Sequence, residues 1–375
     1  MVTAATIIAG AFGLAYGDGD DTAFRHVGEH MLGRGFFDTF GNSWLQIGPL
    51  YLVVVGLLGR LVEPWAGDHV TTVLLAAVQG GAVVWLAMGT TRRLARHQGR
   101  PSVLARWVVG SALAVGGAVS LALEWGHPEE PLLGLLLVDI CLLAARGRHA
   151  WAGALLGAAT GVKLWGATGI GALVATRRWR DVVVAGSAAA VVTAAVYLPF
   201  VLSGEFRTTQ HVWGFGTSSL LGWVAARTRW SEWAIRALEG VLVGAAGAAV
   251  ARRRRSSPAA LALLVITLRL LLDPEPRPYF VCPAVVVALV WCWTSPSPGA
   301  RRWRVLITVL SPLPIQIRAF LTPAQTWTTA LALVTVVTAY VVVADRASAR
   351  ADRALRGGVV AAADATAAAP TTLAR

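Results

Sequence analysis

The sequence predicts an all-α fold, a polytopic membrane helical bundle of about 8–11 membrane segments, and three observations lead to this prediction. Of the 375 residues, 56% are hydrophobic and 14% are charged, whereas an average soluble domain carries about 25% charged residues. The apolar residues form blocks that short charged stretches separate. The 16 tryptophans also suit a membrane protein, because tryptophan concentrates at membrane interfaces.

The net charge of +13 comes from arginines that cluster at the ends of apolar blocks. Such clusters mark cytoplasmic loops, because positive residues are retained on the inner side of a membrane. This distribution predicts a multi-pass plasma-membrane protein surrounded by lipid and excludes nucleic acid as a partner. The clusters are Arg92/Arg93/Arg96, Arg146/Arg148, Arg177/Arg178/Arg180, Arg252 to Arg255, Arg301/Arg302/Arg304 and Arg346.

The N-terminal part combines a membrane helix with an interfacial one. Residues 2–16 are apolar without a preceding basic segment, so we interpret them as a membrane helix and not as a cleaved signal. Between residues 20 and 34, apolar side chains recur at spacings of three and four on one face, while Arg25 and Glu29 lie elsewhere. This pattern predicts an amphipathic helix that lies flat in the outer interface.

Residues 46–62 and 69–89 form two more apolar blocks before the first arginine cluster. Three full crossings from a cytoplasmic N-terminus would leave Arg92 on the outer side, against the charge rule. We therefore expect the shorter block, which starts at Gly48-Pro49, to be re-entrant.

Most remaining blocks pair around outer links, since each pair lies between two arginine clusters. The pairs are 102–123 with 131–145, 182–200 with 234–250, 258–272 with 279–294, and two blocks that flank residues 322–325. These crossings define one membrane domain over residues 1–345. Residues 346–375, rich in Ala, Arg and Thr, are expected to form a disordered cytoplasmic tail.

The interval from Arg148 to Arg177 is basic at both ends, yet residues 150–176 suffice for about one long helix at 1.5 Å per residue. A helix pair broken near residues 161–166 would return the chain to the inner side and place Lys163 deep, directed outward. Broken helices occur at membrane depth only where the backbone lines a cavity. The alternative is one ordinary span with a snorkelling Lys163.

The outer links hold nearly all polar side chains other than the clustered arginines, and this asymmetry is the main functional signal. Charge placement explains the inner arginines, but it does not require acids, imidazoles and an amine on the opposite side. Ionisable groups near membrane depth are costly, so we expect a functional cluster there. Its candidate members are Asp18, Asp20, Asp21, Arg25, His26, Glu29, His30, Glu124, His127, Glu129, Glu130, Lys163, Gln210, His211, Asp273, Glu275, Arg277 and Tyr279.

The residue types in this cluster suit group transfer from a lipid-linked donor, since ATP and nucleotide sugars are not available outside the cell. A lipid phosphate needs a nearby cation, because the negative charge on the leaving group grows in the transition state. Lys163, Arg269 and Arg277 are the candidate cations.

The acceptor hydroxyl needs a carboxylate to take its proton. Asp20 is the best-placed candidate, with Asp21 beside it, and His127 or Glu129 is expected to orient a substrate. We expect no metal site and no cofactor, since the sequence lacks a metal-binding motif of the His-Glu-x-x-His kind. Cys141, Cys282 and Cys292 lie in or near apolar blocks without metal-ligand spacing.

At this point four stretches resemble the GT-C superfamily of integral-membrane glycosyltransferases. They are similar above all to bacterial, especially actinobacterial, α-mannosyltransferases that depend on polyprenol-phosphate-mannose. The likeness spans about residues 1–345. The stretches are Asp20 and Phe24 with "QIGPLYL" (46–52), "GHPEE" (126–130), "GALLGAATGVKLW" (153–165) and "LRLLLDPEPRPYF" (268–280).

The resemblance implies that Asp20 is the catalytic base of an inverting transfer from a lipid-phosphate sugar, with mannose as the expected sugar and with Lys163 and Arg277 as phosphate contacts. Two departures from the family pattern matter. An acid follows Asp20 where a bulky aromatic is usual, so Asp21 could be the base instead. The usual tyrosine pair reads Tyr279-Phe280, which removes one hydroxyl.

Simpler explanations exist for each candidate residue. Asp20 and Asp21 could be solvated acids, His127 could cap the following helix, and His211 could anchor the interface together with Trp213. Asp273 could end a helix as the partner of Arg269 at i and i+4.

Rival functions also remain at this stage. A transporter or a structural membrane protein would not use a base, and an arabinofuranosyl- or glucosyltransferase could use the same carrier lipid. The acceptor stays open among a glycan, a glycolipid, a protein and a lipopeptide.

Overall fold

The computed structural model describes residues 1–16, 19–176, 178–203, 205–212, 214–215, 219–253, 257–275 and 277–367. These residues form helices throughout and no strand, which confirms the predicted all-α class. Their single β-like feature is one antiparallel bridge between Ile47 and Lys163.

The described residues of the N-terminal half form nine α-helices, in the order in which the sequence predicts apolar or amphipathic segments. They are α1 (Val2–Tyr16), α2 (Asp20–Met31), α3 (Pro49–Ala66), α4 (Asp68–His97), α5 (Val103–Val115), α6 (Ala118–Glu124), α7 (Glu129–Ala145), α8 (His149–Val162) and α9 (Trp179–Leu202). Between α8 and α9 lies a long 3-10 helix, η (Leu164–Thr176).

Seven more α-helices follow in the part of the C-terminal half that the structure describes. They are α10 (Leu220–Ala225), α11 (Glu232–Arg253), α12 (Pro258–Leu272), α13 (Cys282–Thr294), α14 (Pro298–Leu310), α15 (Leu313–Gln316) and α16 (Pro323–Ala367). Helix α16 continues past residue 345, where we place the start of the tail, and residues 368–375 lie outside the described part. The boundary between the domain and the tail stays a prediction.

Six helices in the described part are long and apolar enough to cross a membrane. They are Pro49–Ala66, Asp68–His97, Val103–Glu124, Trp179–Leu202, Glu232–Arg252 and Pro323–Asp345. Four shorter apolar helices, Val2–Ala15, Leu164–Ala175, Pro258–Leu272 and Pro278–Thr294, complete the set. The chain is therefore a multi-pass membrane protein.

The expected break in the interval 150–176 is present at Lys163. Helix α8 ends at Val162, Lys163 is extended with φ −160° and ψ 137°, and η then runs back along α8. The reversal brings Gly166 against Ala159, since a Cβ on Gly166 would lie 2.6 Å from the Ala159 carbonyl carbon. The broken pair is confirmed, and the single-span alternative is wrong.

Helix α2 packs tightly on α3 through glycines, because a Cβ on Gly28 would lie 2.3 Å from the Leu52 carbonyl oxygen and one on Gly56 would lie 2.2 Å from the Gly28 carbonyl carbon. The amphipathic helix predicted over residues 20–34 is thus confirmed as α2. Helix α3 turns directly into α4 at Gly67, which has φ 74°.

Arg25 lies away from the apolar face of α2, as predicted, since Phe24, Val27 and Met31 pack in an apolar cluster that does not include it. It is nevertheless fully buried, with a relative exposure of 0%. Its guanidinium bonds Glu29 at 3.0 Å and Glu63 of α3 at 2.6 Å, and it also bonds Asp68 of α4. The α3–α4 turn folds over this face of α2, which the pattern of a single helix does not reveal.

Helices α5 and α6 form one broken crossing. The break lies at Gly116–Gly117, where Gly117 has φ 89°, a left-handed conformation that glycine adopts without steric cost. Ile315 packs against this break, since a Cβ on Gly117 would lie 3.0 Å from its side chain. The break leads α6 directly to the segment that carries His127.

Candidate active site

A cavity of about 770 Å³ collects the side chains that the sequence singles out. Asp20, His127, Lys163 and Tyr279 line it, although they come from four separate parts of the chain. The predicted convergence of these groups around one shared cavity is therefore present. His211, Arg269 and Arg277 line the same cavity.

His127 joins two carboxylates at one wall of the cavity. Its Nε2 lies 3.1 Å from Oδ2 of Asp20, and its Nδ1 lies 2.7 Å from Oε1 of Glu129. The Asp20 side chain is 60% exposed, whereas that of Glu129 is fully buried. His127 does not cap α7, because its ring nitrogens are used in these two contacts.

The charges around His127 shift the pKa of both cavity-facing groups. The hydrogen bond with His127 lowers the pKa of Asp20 and outweighs partial burial, which acts in the opposite direction. Burial and the charge of Lys163 act to lower the pKa of His127, but Glu129 and Asp20 outweigh them, and the pKa is raised. We infer an imidazolium that donates to Asp20 and Glu129, because a proton on both ring nitrogens satisfies both ionised carboxylates.

Two aromatic contacts fix the His127 ring. The Tyr279 ring stacks on it with centroids 4.2 Å apart and an interplanar angle of 15°, and the Phe24 ring lies 5.5 Å away. Gly126, with φ 71°, brings this segment against α2, since a Cβ there would lie 2.5 Å from the Asp21 nitrogen. Only glycine tolerates both that φ and that approach, so the Gly-His sequence holds the imidazole beside Asp20.

Lys163 stands at the break between α8 and η, where no helix shields its side chain from the cavity. Its Nζ lies 2.8 Å from Oε1 of Glu129 and 2.7 Å from Oε1 of Glu130. The bridge to Ile47 and the bond from the Gly48 nitrogen to the Val162 oxygen at 2.8 Å hold the extended backbone. Lys163 is thus engaged by two buried carboxylates and does not snorkel.

Arg269 is a buried cation that faces three carboxylates, with Nε 3.9 Å from Glu239, Nη1 4.0 Å from Glu130 and Nη2 3.0 Å from Asp273. Its guanidinium lies between the Trp165 and Phe280 rings, 4.6 Å and 4.3 Å from their centroids. The predicted i, i+4 ion pair with Asp273 is present at 3.0 Å. Nε and Nη1 of Arg269 are buried without a hydrogen-bond partner among the described residues, and the side chain borders the cavity.

Helix α11 contributes two charged residues that the sequence analysis missed. Arg236 bonds Asp273 at 2.7 Å and Glu239 at 3.1 Å, and both Arg236 and Glu239 line the cavity. A signal was available, because charged residues inside an apolar block are costly and mark functional positions. Asp273 itself is fully buried behind the two arginines and does not line the cavity.

Arg277 and Glu275 form an exposed ion pair at the cavity mouth. The charge of Glu275, through a hydrogen bond, raises the pKa of Arg277 against the effect of partial desolvation. Glu130 and Glu275 were expected only as members of the outer cluster, and the structure shows that each holds a cavity cation in place.

Asp21 points away from the cavity. It borders a separate small pocket together with Thr22, Arg25, Thr72 and Gln79, and its Oδ1 is buried without a hydrogen-bond partner among the described residues. Burial raises the pKa of Asp21 to about 6. Of the two adjacent acids, Asp20 alone faces the shared cavity.

The cavity has an apolar end opposite Asp20, between η and α11. On η it is lined by Leu164, Ala167 and Ile170, and on α11 by small and apolar residues. Ile170 is 54% exposed, so the apolar end of the cavity reaches the surface of the helix bundle. The α11 lining residues at this end are Ala237, Gly240, Val241, Gly244 and Ala245.

One further group in the described part has the geometry of a metal site, and it lies outside the cavity. His26, Glu29 and Glu63 present ligand atoms within 4.8 Å of one another. The Arg25 guanidinium already bonds both carboxylates, and a positive group at this point opposes a metal cation. Asp18 and Trp213 lie outside the described residues.

Comparison with known proteins identifies the family of the chain. The model of glycosyltransferase family 87, a GT-C type family of membrane glycosyltransferases, matches residues 47–274. The match contains His127, Glu129, Lys163, Arg269 and Asp273, and it begins after Asp20. A search of curated proteins finds no match.

Proposed function

The chain belongs to glycosyltransferase family 87, and from this premise we propose that it transfers a sugar, which we take to be mannose, from a polyprenyl-phosphate donor to an acceptor hydroxyl. The family sets aside the transporter and the structural protein among the rival functions. The observation that carries the proposal is a single cavity that joins an exposed carboxylate, a row of buried cations and an apolar end.

In the proposed reaction the acceptor oxygen bonds to the anomeric carbon while the bond from that carbon to the phosphate oxygen breaks. The electron pair of the broken bond leaves with polyprenyl phosphate. The hydroxyl proton passes to a carboxylate oxygen of Asp20. Attack from the face opposite the leaving group inverts the anomeric configuration.

Asp20 is the proposed base because it alone of the two adjacent acids reaches the cavity. Its lowered pKa keeps it ionised and ready to accept a proton. His127 acts as a positioning residue that holds the carboxylate, and Tyr279 supports the imidazole from the other side.

Arg269 is the proposed main contact of the donor phosphate. Its buried Nε and Nη1 have no hydrogen-bond partner among the described residues, since the nearest carboxylates, of Glu239 and Glu130, lie 3.9 Å and 4.0 Å away, too far for a hydrogen bond. Buried donors without partners cost about 1–3 kcal/mol each, and a phosphate oxygen would satisfy them. Lys163 contributes positive charge from its place between Glu129 and Glu130, with Arg277 at the mouth.

The apolar end between η and α11 is the proposed path of the prenyl chain. Gly240 leaves open space beside α11, since a Cβ built on it meets no atom within 4 Å. Val241 is 66% exposed at the same place, so a chain lying there would continue into the bilayer. A donor with a charged head and a long apolar tail fits this sequence of surfaces.

The test is transfer by the purified full chain in lipid nanodiscs. Radiolabelled polyprenyl-phosphate-mannose is offered with a panel of glycan, glycolipid and lipopeptide acceptors, and arabinofuranosyl and glucosyl donors are run in parallel. We expect transfer from the mannosyl donor and an anomeric configuration opposite to that of the donor. Transfer only from another sugar donor would replace mannose in the proposal, and transfer from none would overturn it.

The matched variants are Asp20→Asn and Asp38→Asn. Asp38 is a carboxylate 64% exposed, bonded to His30, and it does not line the cavity. Loss of a general base costs about 10²–10⁴-fold in rate, so we expect that loss for Asp20→Asn and near-normal turnover for Asp38→Asn. Full turnover by Asp20→Asn would remove Asp20 from the mechanism.

A further inference from the structure

At the end of the bundle opposite the cavity, three arginines converge without a carboxylate. Arg100 follows α4 and donates to the Ser295 carbonyl, just before α14 begins. Arg301 and Arg304 lie on the first turns of α14, and their charges lower the pKa of Arg100 together with its desolvation. Among the described residues, none of the three forms an ion pair with an acid.

The distance between the three arginines and the cavity follows from the lengths of α13 and α4, which connect the two ends of the bundle. Helix α13 starts beside Tyr279 and reaches Thr294 after 13 residues, or about 20 Å at 1.5 Å per residue. Helix α4 starts at Asp68 beside α2 and reaches His97 after 30 residues, or about 45 Å. The arginine group therefore lies at the far end of both helices and is separate from the donor site.

The group has unsatisfied hydrogen-bonding capacity. Nε and Nη2 of Arg304 are buried without a hydrogen-bond partner among the described residues, and its guanidinium lies 4.9 Å from the Trp293 ring centroid. By contrast, Arg25, Arg236, Arg269 and Arg277 at the cavity end are all paired with carboxylates. Among the residues that the structure describes, no carboxylate balances the charge of Arg100, Arg301 and Arg304.

The surroundings of the three arginines indicate which kind of anion would balance their charge. After Arg304, α14 exposes apolar side chains, with Val305 66% and Val309 56% exposed. Trp303 lies between Arg301 and Arg304 in the sequence. A basic end followed by exposed apolar side chains and a tryptophan suits the boundary between headgroups and acyl chains. We propose that Arg100, Arg301 and Arg304 bind the phosphate headgroup of an anionic phospholipid whose acyl chains lie along α14.

The test compares lipid retention by the full chain in nanodiscs of phosphatidylcholine alone and of phosphatidylcholine with phosphatidylglycerol. Native mass spectrometry counts retained phosphatidylglycerol, and thermal unfolding reports its effect on stability. Each surface arginine contributes about fivefold to binding of an anionic lipid. We expect the R100Q/R301Q/R304Q variant to lose at least about tenfold in retention.

The charge-matched control is R92Q/R96Q/R252Q, which removes three exposed arginines near the same end. It is expected to retain phosphatidylglycerol as the wild type does. Equal losses of phosphatidylglycerol retention in the two variants would show that only the net charge matters, and they would overturn the proposed site. Unchanged retention in R100Q/R301Q/R304Q would also overturn it. If that variant does not fold, the single variants R304Q and R304K decide, with retention expected to fall more for R304Q.

Inorganic phosphate added to phosphatidylcholine nanodiscs distinguishes a lipid from a free anion. Stabilisation by millimolar phosphate equal to that by phosphatidylglycerol would contradict a lipid headgroup as the occupant. Sugar-transfer assays with the same variants test the lipid site separately from the proposed function, because the three arginines lie far from Asp20.

Discussion

Asp20 and His127 are 107 positions apart in the chain, yet Oδ2 of Asp20 lies 3.1 Å from Nε2 of His127. The imidazole bonds a buried carboxylate, Glu129, on its other side. One exposed acid therefore receives both its orientation and its low pKa from a ring that the protein core holds in place.

Replacing His127 tests this relationship. In His127→Gln the hydrogen bond that lowers the pKa of Asp20 is weakened, so that pKa rises toward its usual value. Asp20 is then protonated at a higher pH, and we expect the acidic limb of the kcat/KM profile to move upward in pH. Activity at the optimum should lie between those of the wild type and Asp20→Asn.

The control for this profile is His30→Gln, which changes a 59% exposed histidine on α2, the helix that carries Asp20. It is expected to leave the acidic limb in place. An unmoved limb in His127→Gln would separate His127 from the ionisation of Asp20.

Asp21 provides a pH-dependent test of stability. Burial raises its pKa to about 6 in the folded protein, against about 3.9 in an unfolded chain. The stability that its protonated form contributes is complete below about pH 4 and is lost as the pH rises through about 6. Asp21→Asn should therefore be more stable than the wild type at pH 7.5, by up to about 3 kcal/mol for a shift of about two pKa units, and equal to it near pH 4.

Thermal unfolding at the two pH values checks this difference, with Asp38→Asn as the exposed control. Asp21→Asn is expected to keep most of its transferase activity, because Asp21 does not face the cavity. A loss as deep as that of Asp20→Asn would instead make Asp21 part of the mechanism.

Lys163 tests the charge balance behind the cavity. Lys163→Met leaves Glu129 and Glu130 buried without their cation, and removal of one partner from a buried ion pair costs about 3–5 kcal/mol. The double variant Lys163→Met/Glu130→Gln should recover part of that loss, because one of the two stranded charges is gone. Denaturant unfolding of the single and double variants measures the recovery.

The partly exposed pair of Arg93 and Asp139 is the reference for this experiment, with side chains 45% and 15% exposed. Arg93→Gln is expected to cost about 1 kcal/mol or less, as exposed pairs do. A Lys163→Met cost no larger than this would contradict a buried, structurally required ion pair.

Arg25 is expected to hold the base in position from the far side of α2. Arg25→Gln removes the cation that ties α2 to Glu63 and Asp68, so the helix that carries Asp20 loses its fixed place. We expect kcat to fall while the KM for the donor changes little, since Arg25 does not line the cavity. Arg25→Lys, which keeps the charge, should restore part of the rate.

Arg34→Gln, an exposed change in the same segment, serves as the control for Arg25→Gln. Steady-state kinetics with separate variation of donor and acceptor distinguish the outcomes. A rise in donor KM with an unchanged kcat would assign Arg25 to donor binding instead.

Gly240 tests the proposed path of the prenyl chain. Gly240→Leu places a branched side chain in open space at the apolar end, where a Cβ meets no atom within 4 Å. The fold should accept it, but the chain of a long polyprenyl donor should not. We expect the donor KM to rise about tenfold or more, with less effect on a short-chain donor.

Gly186→Leu is the matched control, because Gly186 has the same open space but lies on α9 away from the cavity. Kinetics with donors of different chain length make the comparison. Equal effects of the two variants would remove α11 from the prenyl path.

The break at Lys163 could be predicted because charge and length conflict between Arg148 and Arg177, and a reversal is the simplest resolution. The convergence of Asp20, His127 and Lys163 followed from the placement of polar residues on one side. The pairing of Lys163 with Glu129 and Glu130 could not be predicted in detail, since it depends on how α7 and α8 pack.

Two features escaped prediction for different physical reasons. The burial of Arg25 could not be foreseen, because periodicity within one helix says nothing about a turn that folds over its polar side. Arg236 and Glu239 lie in a block whose mean hydropathy is apolar, and this mean concealed the two charges. Ion pairs of Arg236 with Glu239 and Asp273 compensate these charges inside the protein.

The 3-10 conformation of η sets the dimensions of the return leg. Thirteen residues rise about 26 Å at 2.0 Å each as a 3-10 helix, but about 20 Å at 1.5 Å each as an α-helix. The 3-10 leg is therefore about 5 Å longer than the 14-residue α8, which covers about 21 Å. Rewinding it to an α-helix would shorten it by about 6 Å, and because Trp165 stands at its start, the shortening would fall on the end at Thr176. The pitch of this one segment thus sets how far the chain returns toward Arg178, the residue before α9.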